Sequence, residues 1–242
     1  MPNIDSDFSR RLSAVESRIH TAATRSGRTR SAVTLVAVSK KFSGARIREA
    51  YQAGLRVFGE NYVQEFSEKR PELADLEGAQ FHLIGHLQSN KTRLACDLFQ
   101  VIQTADSVKL LKRLDASAAE RGQKTEVLLE IKLSDEDSKS GASEEELPQL
   151  LAAAKQCRSL NVTGLMTVPP WSEDAETSRP YFRRLAELAR QFEGEHPLPK
   201  LSMGMSGDLE VAIEEGATMV RVGTALFGAR PKPQAVEAPL AS

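Results

Sequence analysis

The feature that most constrains this chain is an alternation of eight short apolar or β-branched runs with stretches of helical periodicity. The runs are VTLVAV at 33–38, RVF at 56–58, FHLIG at 81–85, FQVIQT at 99–104, TEVLLEIKL at 125–133, NVTGLMTV at 161–168, LSMG at 201–204 and MVRVG at 219–223. Runs of this kind fit strands covered on both faces, as in a parallel sheet. Between them apolar residues recur at helical spacing, as in Val108, Leu111 and Leu114, or Phe182, Leu185, Leu188, Ala189 and Phe192 behind a first-turn Pro180. Eight strand-helix units in 242 residues predict an α/β fold, a single (β/α)8 TIM-type barrel, whose typical size is about 250 residues. A doubly wound open sheet is the competing architecture, but the chain has no G-x-G-x-x-G turn for a dinucleotide.

Ahead of the first run, Ile4, Phe8, Leu12, Val15 and Ile19 form the stripe of an amphipathic helix running to about Ala23. Residues 1–30 are therefore expected to be a helix and linker packing on a barrel of residues 31–229, with 230–242, rich in proline and alanine, as a flexible tail. Arg25, Arg28 and Arg30 surround a glycine turn and read as a solvated linker.

Thirty-two basic against 33 acidic residues leave a formal charge of −1, which offers no global field for nucleic acid or an anionic membrane. Cys96 and Cys157 cannot make a disulfide framework and suit a reducing compartment. Asp5, Asp7, Arg10 and Arg11 interrupt the N-terminus where a signal peptide needs an apolar core, and no apolar run reaches transmembrane length. The expected location is the cytoplasm.

A parallel barrel puts ligand-binding residues just after its strands. The first run ends in Lys40 and Lys41, and a partly desolvated lysine at a site mouth is a candidate Schiff-base nucleophile; a solvated loop pair is the alternative. After the seventh run, Ser206, Gly207 and Asp208 lead into a helix with Leu209, Ala212 and Ile213 on one face, whose N-terminus favours an anion. Gly223 and Thr224 supply neighbouring donors where barrels commonly bind phosphate, with ordinary N-capping as the alternative. An amine facing a phosphate cradle suggests a phosphorylated aldehyde, of which pyridoxal phosphate is the commonest such cofactor. His82 and His86 straddle a glycine after a strand and share no helix face, so no metal site is expected.

The pieces AVSK at 37–40, FGENYVQE at 58–65, HLIGHLQSNK at 82–91, DSKSG at 137–141, GLMTVPP at 164–170, LSMGMSGD at 201–208 and VRVGTALFG at 220–228 occur in order over nearly the whole chain. Together they closely resemble the pyridoxal phosphate homeostasis proteins, relatives of the N-terminal barrel of alanine racemases. The resemblance implies that Lys40 forms the aldimine with pyridoxal phosphate, that Asn61 lies near the ring, and that Ser206, Gly223 and Thr224 bind the phosphate. It further implies that Arg221 faces the pyridine nitrogen, that Met166, Ser202 and Met203 line the pocket, and that Lys139 is a transient cofactor contact. Many relatives have proline where this chain has His86, a change at the pocket rim or a plain loop histidine.

Three functions compete. An amino-acid racemase needs a base on each face of the substrate carbon; alanine racemases take the second from a tyrosine reached through a second domain and a dimer partner. This chain is expected to end at the barrel, with Tyr51 and Tyr181 on helices away from the mouth. An arginine at the ring nitrogen only donates, which weakens the ring as an electron sink. The reading favoured is therefore a non-catalytic, monomeric carrier or buffer of pyridoxal phosphate in vitamin B6 homeostasis, with apo-enzymes as recipients. A nucleic-acid module has only scattered cations such as Lys91, Arg93 and Arg28 behind it.

Overall fold

The computed structural model describes residues 6–134 and 140–229; Ile4, Lys139 and the expected tail lie outside the described residues. Helix α1 (Ser6–Arg25) precedes β1 (Thr34–Val38), α2 (Gly44–Gln52), β2 (Val57–Glu60), α3 (Val63–Lys69), β3 (Gln80–Leu83), α4 (Thr92–Leu98) and β4 (Val101–Ala105). There follow α5 (Val108–Glu120), β5 (Thr125–Glu130), α6 (Leu147–Ala154), β6 (Leu160–Met166), α7 (Arg179–Gln191), β7 (Lys200–Ser202), α8 (Leu209–Glu214), β8 (Met219–Val222) and a short α9 (Thr224–Phe227). The eight strands are parallel neighbours in sequence order, and β8 closes on β1 with Thr34 opposite Met219, giving the predicted barrel.

Several strands end earlier than their apolar runs, for identifiable reasons. After Met166 the chain meets Pro169 and Pro170, which have no N–H for a ladder, and after Glu130 pairing shrinks to a bridge between Ile131 and Ala142.

Two cores result. Outward-facing residues such as Phe58, Phe81 and Ile102 pack with the helices, with the Phe58 and Phe81 rings 5.5 Å apart. Inside the barrel Val36, Val101, Leu128, Met166 and Met219 form a smaller apolar cluster. The arginines expected to be solvated are staples instead: Arg28 donates to the carbonyls of Ala217 and Ile213, while Arg30 donates to Glu16 and to the carbonyl of Val33. Carbonyls at a helix C-terminus and strand edge lack partners of their own, so a guanidinium satisfies several at once.

Candidate functional site

Strand alternation builds the mouth from its floor. Val36 lies in the inner cluster and Val38 lines the cleft above it, so Lys40 follows in the same phase, while Ser39 between them is wholly buried on the outer side. Lys40 lines a cleft of about 510 Å³ at the carboxyl ends of the strands, together with Asn61, Ser206, Arg221, Gly223 and Thr224. Lys41 is exposed, has φ 65°, and donates its N–H to Glu65 Oε1 at 2.6 Å. Left-handed backbone is uncommon for a side chain as long as lysine and marks a turn held by its surroundings.

The loops after β7 and β8 meet across the cleft, where Ala225 donates its N–H to Ser206 Oγ at 3.4 Å. Helix α9 is the short extra helix that commonly accompanies a phosphate site in barrels. Gly223 sits close enough to β1 that a Cβ there would lie 3.3 Å from Val38 Cβ, a tight contact that would push on the first strand. From outside, Arg18 of α1 donates to the Ser206 carbonyl at 2.9 Å and pairs with Glu210 at 2.5 Å. On the other side, a Cβ at Gly85 would come within 2.4 Å of the Asn61 carbonyl oxygen, so glycine permits the end of β3 to press on the turn that presents Asn61. Asn61 Oδ1 is buried with no partner among the described residues, an acceptor waiting for a donor.

Beneath the cleft runs a buried hydrogen-bond chain. Arg221 donates from Nη1 to Ser202 Oγ at 2.7 Å and from Nη2 to the Thr167 carbonyl at 2.8 Å. Ser202 thus passes its own proton to Gln103 Oε1 at 2.6 Å, which leaves the Gln103 amide nitrogen to donate to His82 Nδ1 at 2.8 Å. The neutral His82 ring accordingly carries its proton on Nε2, and burial, helped by Lys200, pushes its pKa down to about 3. Burial also brings the Arg221 guanidinium down to about 10, with Glu130 and Asp208 opposing, so it stays cationic at neutral pH.

Of the expected pocket residues, Lys40, Asn61, Ser206, Arg221, Gly223 and Thr224 come together at the cleft. Three lie elsewhere. Ser202 is fully buried under the floor as the partner of Arg221, and Met166 belongs to the inner cluster. Met203 follows the inward Ser202, so alternation turns it into the outer core. Tyr51 and Tyr181 lie on α2 and α7, and half-exposed Tyr62 borders a neighbouring cleft with His86, Gln88 and Lys91.

Sequence reasoning missed Glu130, whose side chain is buried at the inner end of β5 with Oε2 unpartnered among the described residues. Burial, with Asp106 adding to it and Arg221 opposing, raises its carboxyl to about 7 from an ordinary 4.5. A raised folded-state pKa means the carboxyl contributes fully below pH 4.5 and loses that contribution as pH rises through 7. Glu130→Gln is therefore expected to gain on the parent by about 1.4 kcal/mol per pH unit across that window, on the order of 3 kcal/mol in all. Urea unfolding of both cofactor-free proteins at pH 4.5, 6 and 8 reads the difference, and a pH-independent gap would contradict it.

The fold and mouth define a class: a single parallel barrel with a lysine, a cationic floor and two meeting loops on one cleft. Residues 11–231 match the alanine racemase N-terminal domain family. The pyridoxal phosphate homeostasis proteins of Aquifex aeolicus and Pseudomonas aeruginosa are 43% and 45% identical, spanning 91% and 93% of this chain and 97% and 96% of their own. PipY of Synechococcus elongatus, solved with PLP bound, superposes with a TM-score of 0.81 at 38% identity over 91% of this chain and all of its own. The alanine racemase of Corynebacterium glutamicum shares the fold at a TM-score of 0.66 and 20% identity, with 93% of this chain covering 63% of that one. The chain belongs to the alanine racemase N-terminal domain family and, within it, to the pyridoxal phosphate homeostasis proteins.

Proposed function

We propose that this protein binds pyridoxal 5'-phosphate in the barrel mouth through Lys40 and acts as a monomeric cytoplasmic carrier or buffer of the cofactor, with apo-enzymes as recipients. The observation that carries this reading is the gathering of Lys40, Asn61, Arg221, Ser206, Gly223 and Thr224 on one cleft of about 510 Å³. The names of the relatives and the PLP held by PipY support it.

The residues present fit the group. The unpartnered Asn61 oxygen can take a donor, and the crossing of two loops at Ser206 and Ala225 gathers the hydroxyls and amides a phosphate needs. When bound, the cofactor supplies an aldehyde that condenses with amines and a ring able to withdraw electrons. Lys40 contributes the amine, Ser206, Thr224 and the Gly223 backbone hold the phosphate, Asn61 flanks the ring, and Arg221 donates toward the ring nitrogen. No described helix is long and apolar enough to cross a membrane.

Ser206→Ala combined with Thr224→Ala is expected to weaken binding of pyridoxal 5'-phosphate by about two to four orders of magnitude more than binding of unphosphorylated pyridoxal, since about 1.5–3 kcal/mol rides on each of the two hydrogen bonds to a charged group. Titration of both ligands followed by visible absorbance makes the comparison. Equal losses would mean damage to the barrel and would count against the cradle. A racemase reading has the shared fold in its favour, and isotope exchange separates the two.

A further inference from the structure

Behind the strand end that carries Lys40 lies a cluster that the cofactor reading does not use. Lys69, the last residue of α3, has a side chain only 11% exposed, and its ammonium stands 2.9 Å from both Glu60 Oε1 and Glu65 Oε1. The same ammonium donates to the Phe42 carbonyl at 3.2 Å and reaches the Ser39 carbonyl at 3.5 Å. Glu60 is wholly buried; its Oε1 also accepts from Ser39 Oγ at 2.7 Å, and burial raises its carboxyl against the pull of Lys69. Glu65 Oε1 takes the Lys41 N–H.

These contacts converge on the turn from Ser39 to Phe42. Lys69 ties the carbonyls at its two ends, Glu65 ties the amide in its middle, and a bond from the Phe42 N–H to the Ser39 carbonyl closes it at 3.1 Å. Phe42 is further stacked on Phe227 of α9 with ring centroids 5.0 Å apart, which joins the turn to the anion cradle. Held this way, Lys41 keeps a left-handed backbone and a solvent-facing side chain, while Lys40 stays in phase with Val36 and Val38. Two adjacent lysines of equal intrinsic reactivity are thus made unequal by backbone geometry alone.

We infer that Lys69, acting through Glu60 and Glu65, is a positioning residue that selects Lys40 over Lys41 as the amine offered to the barrel mouth. The inference rests on the proposed role of Lys40. Removing the ammonium leaves a buried carboxylate without its cation and the Phe42 carbonyl without its donor, so the turn has to rearrange.

The test uses the full chain with Lys69→Met, Lys69→Arg and Glu65→Ala. In cofactor-free protein, the Lys41 and Phe42 amides are expected to exchange with deuterium about tenfold faster in Lys69→Met and Glu65→Ala while barrel amides keep parent rates. After loading with pyridoxal 5'-phosphate and borohydride reduction, peptide mapping is expected to find the label on Lys40 alone in the parent and divided between Lys40 and Lys41 in both variants. Loading is expected to slow by about tenfold, and Lys69→Arg to restore part of the Lys40 preference. A general loss of stability would not move label to Lys41. Should Lys69→Met fail to fold, Glu65→Ala decides, since it removes the acceptor of the Lys41 N–H and keeps the Glu60–Lys69 pair. Parent-like loading with label on Lys40 alone in the variants overturns the inference, whereas an unlabelled Lys40 in the parent overturns the cofactor reading itself.

Discussion

Lys40→Ala is expected to abolish the covalent attachment of pyridoxal 5'-phosphate: the protein loses its visible absorption band above 400 nm or so, and borohydride leaves no label. Lys40 lines the cleft in the phase set by Val36 and Val38, whereas Lys41 is exposed, with its backbone amide held by Glu65. Lys41→Ala is therefore expected to keep the band. What remains in Lys40→Ala is the proposed phosphate cradle and the Arg221 floor, which sit at the ends of other strands. The variant should still retain the ligand reversibly, released by dialysis, with affinity lower by two or more orders of magnitude for each roughly 3 kcal/mol the bond contributed. Mass spectrometry of reduced peptides and absorbance after dialysis check both halves. A label on Lys41 in the parent, or an unchanged band in Lys40→Ala, would transfer the role to another amine.

Much of this site was legible because barrel geometry converts strand order into spatial order. Lys40, Asn61, Arg221 and Thr224 each lie within a few residues of a strand end, so recognising eight runs was enough to bring them to one mouth. What stayed hidden depends on phase and on distant partners. The LSMG run does not say which residue faces inward, because serine and methionine are both tolerated in a buried strand, and Met203 was consequently assigned to the wrong side. The buried chain from Arg221 to His82 left a faint trace: His82 inside FHLIG and Gln103 inside FQVIQT are polar residues within apolar runs, costly unless they find one another. The Lys69 cluster left none, since a lysine at the end of a helix reads as solvated until α3 is laid against β2. Arg28 escaped for the same reason, as its acceptors are carbonyls nearly two hundred positions away.

Loaded with cofactor and offered alanine or other amino acids in deuterium oxide, the protein is expected to invert the α-carbon, read as deuterium carried into the opposite enantiomer, at least about a hundred-fold more slowly than a dedicated racemase. Racemisation requires a proton to leave one face of the carbon and arrive at the other, and each positioned acid–base group typically contributes about a hundred- to ten-thousand-fold. Lys40 can serve one face. Apart from Lys40 and the permanently cationic Arg221, the ionisable side chain on the cleft among the described residues is Asp208, and both of its oxygens are engaged. Its Oδ1 accepts the Met205 N–H at 2.6 Å and its Oδ2 the Ser178 hydroxyl at 3.1 Å. Tyr62 borders the adjoining cleft rather than this one. The floor acts in the same direction: Arg221, anchored to Ser202 and Thr167, remains a donor at neutral pH and has no proton to yield to a ring nitrogen. An electron sink that stays unprotonated stabilises a carbanion less, so the missing base and the arginine reduce the same step. Binding needs no second base and gains from the Arg221 hydrogen bond, which is why tight retention with slow inversion is the outcome that marks a carrier. Inversion at a racemase's rate, lost in Lys40→Ala, would overturn the carrier reading, and its loss in Tyr62→Phe as well would place the second proton on Tyr62 of the adjoining cleft.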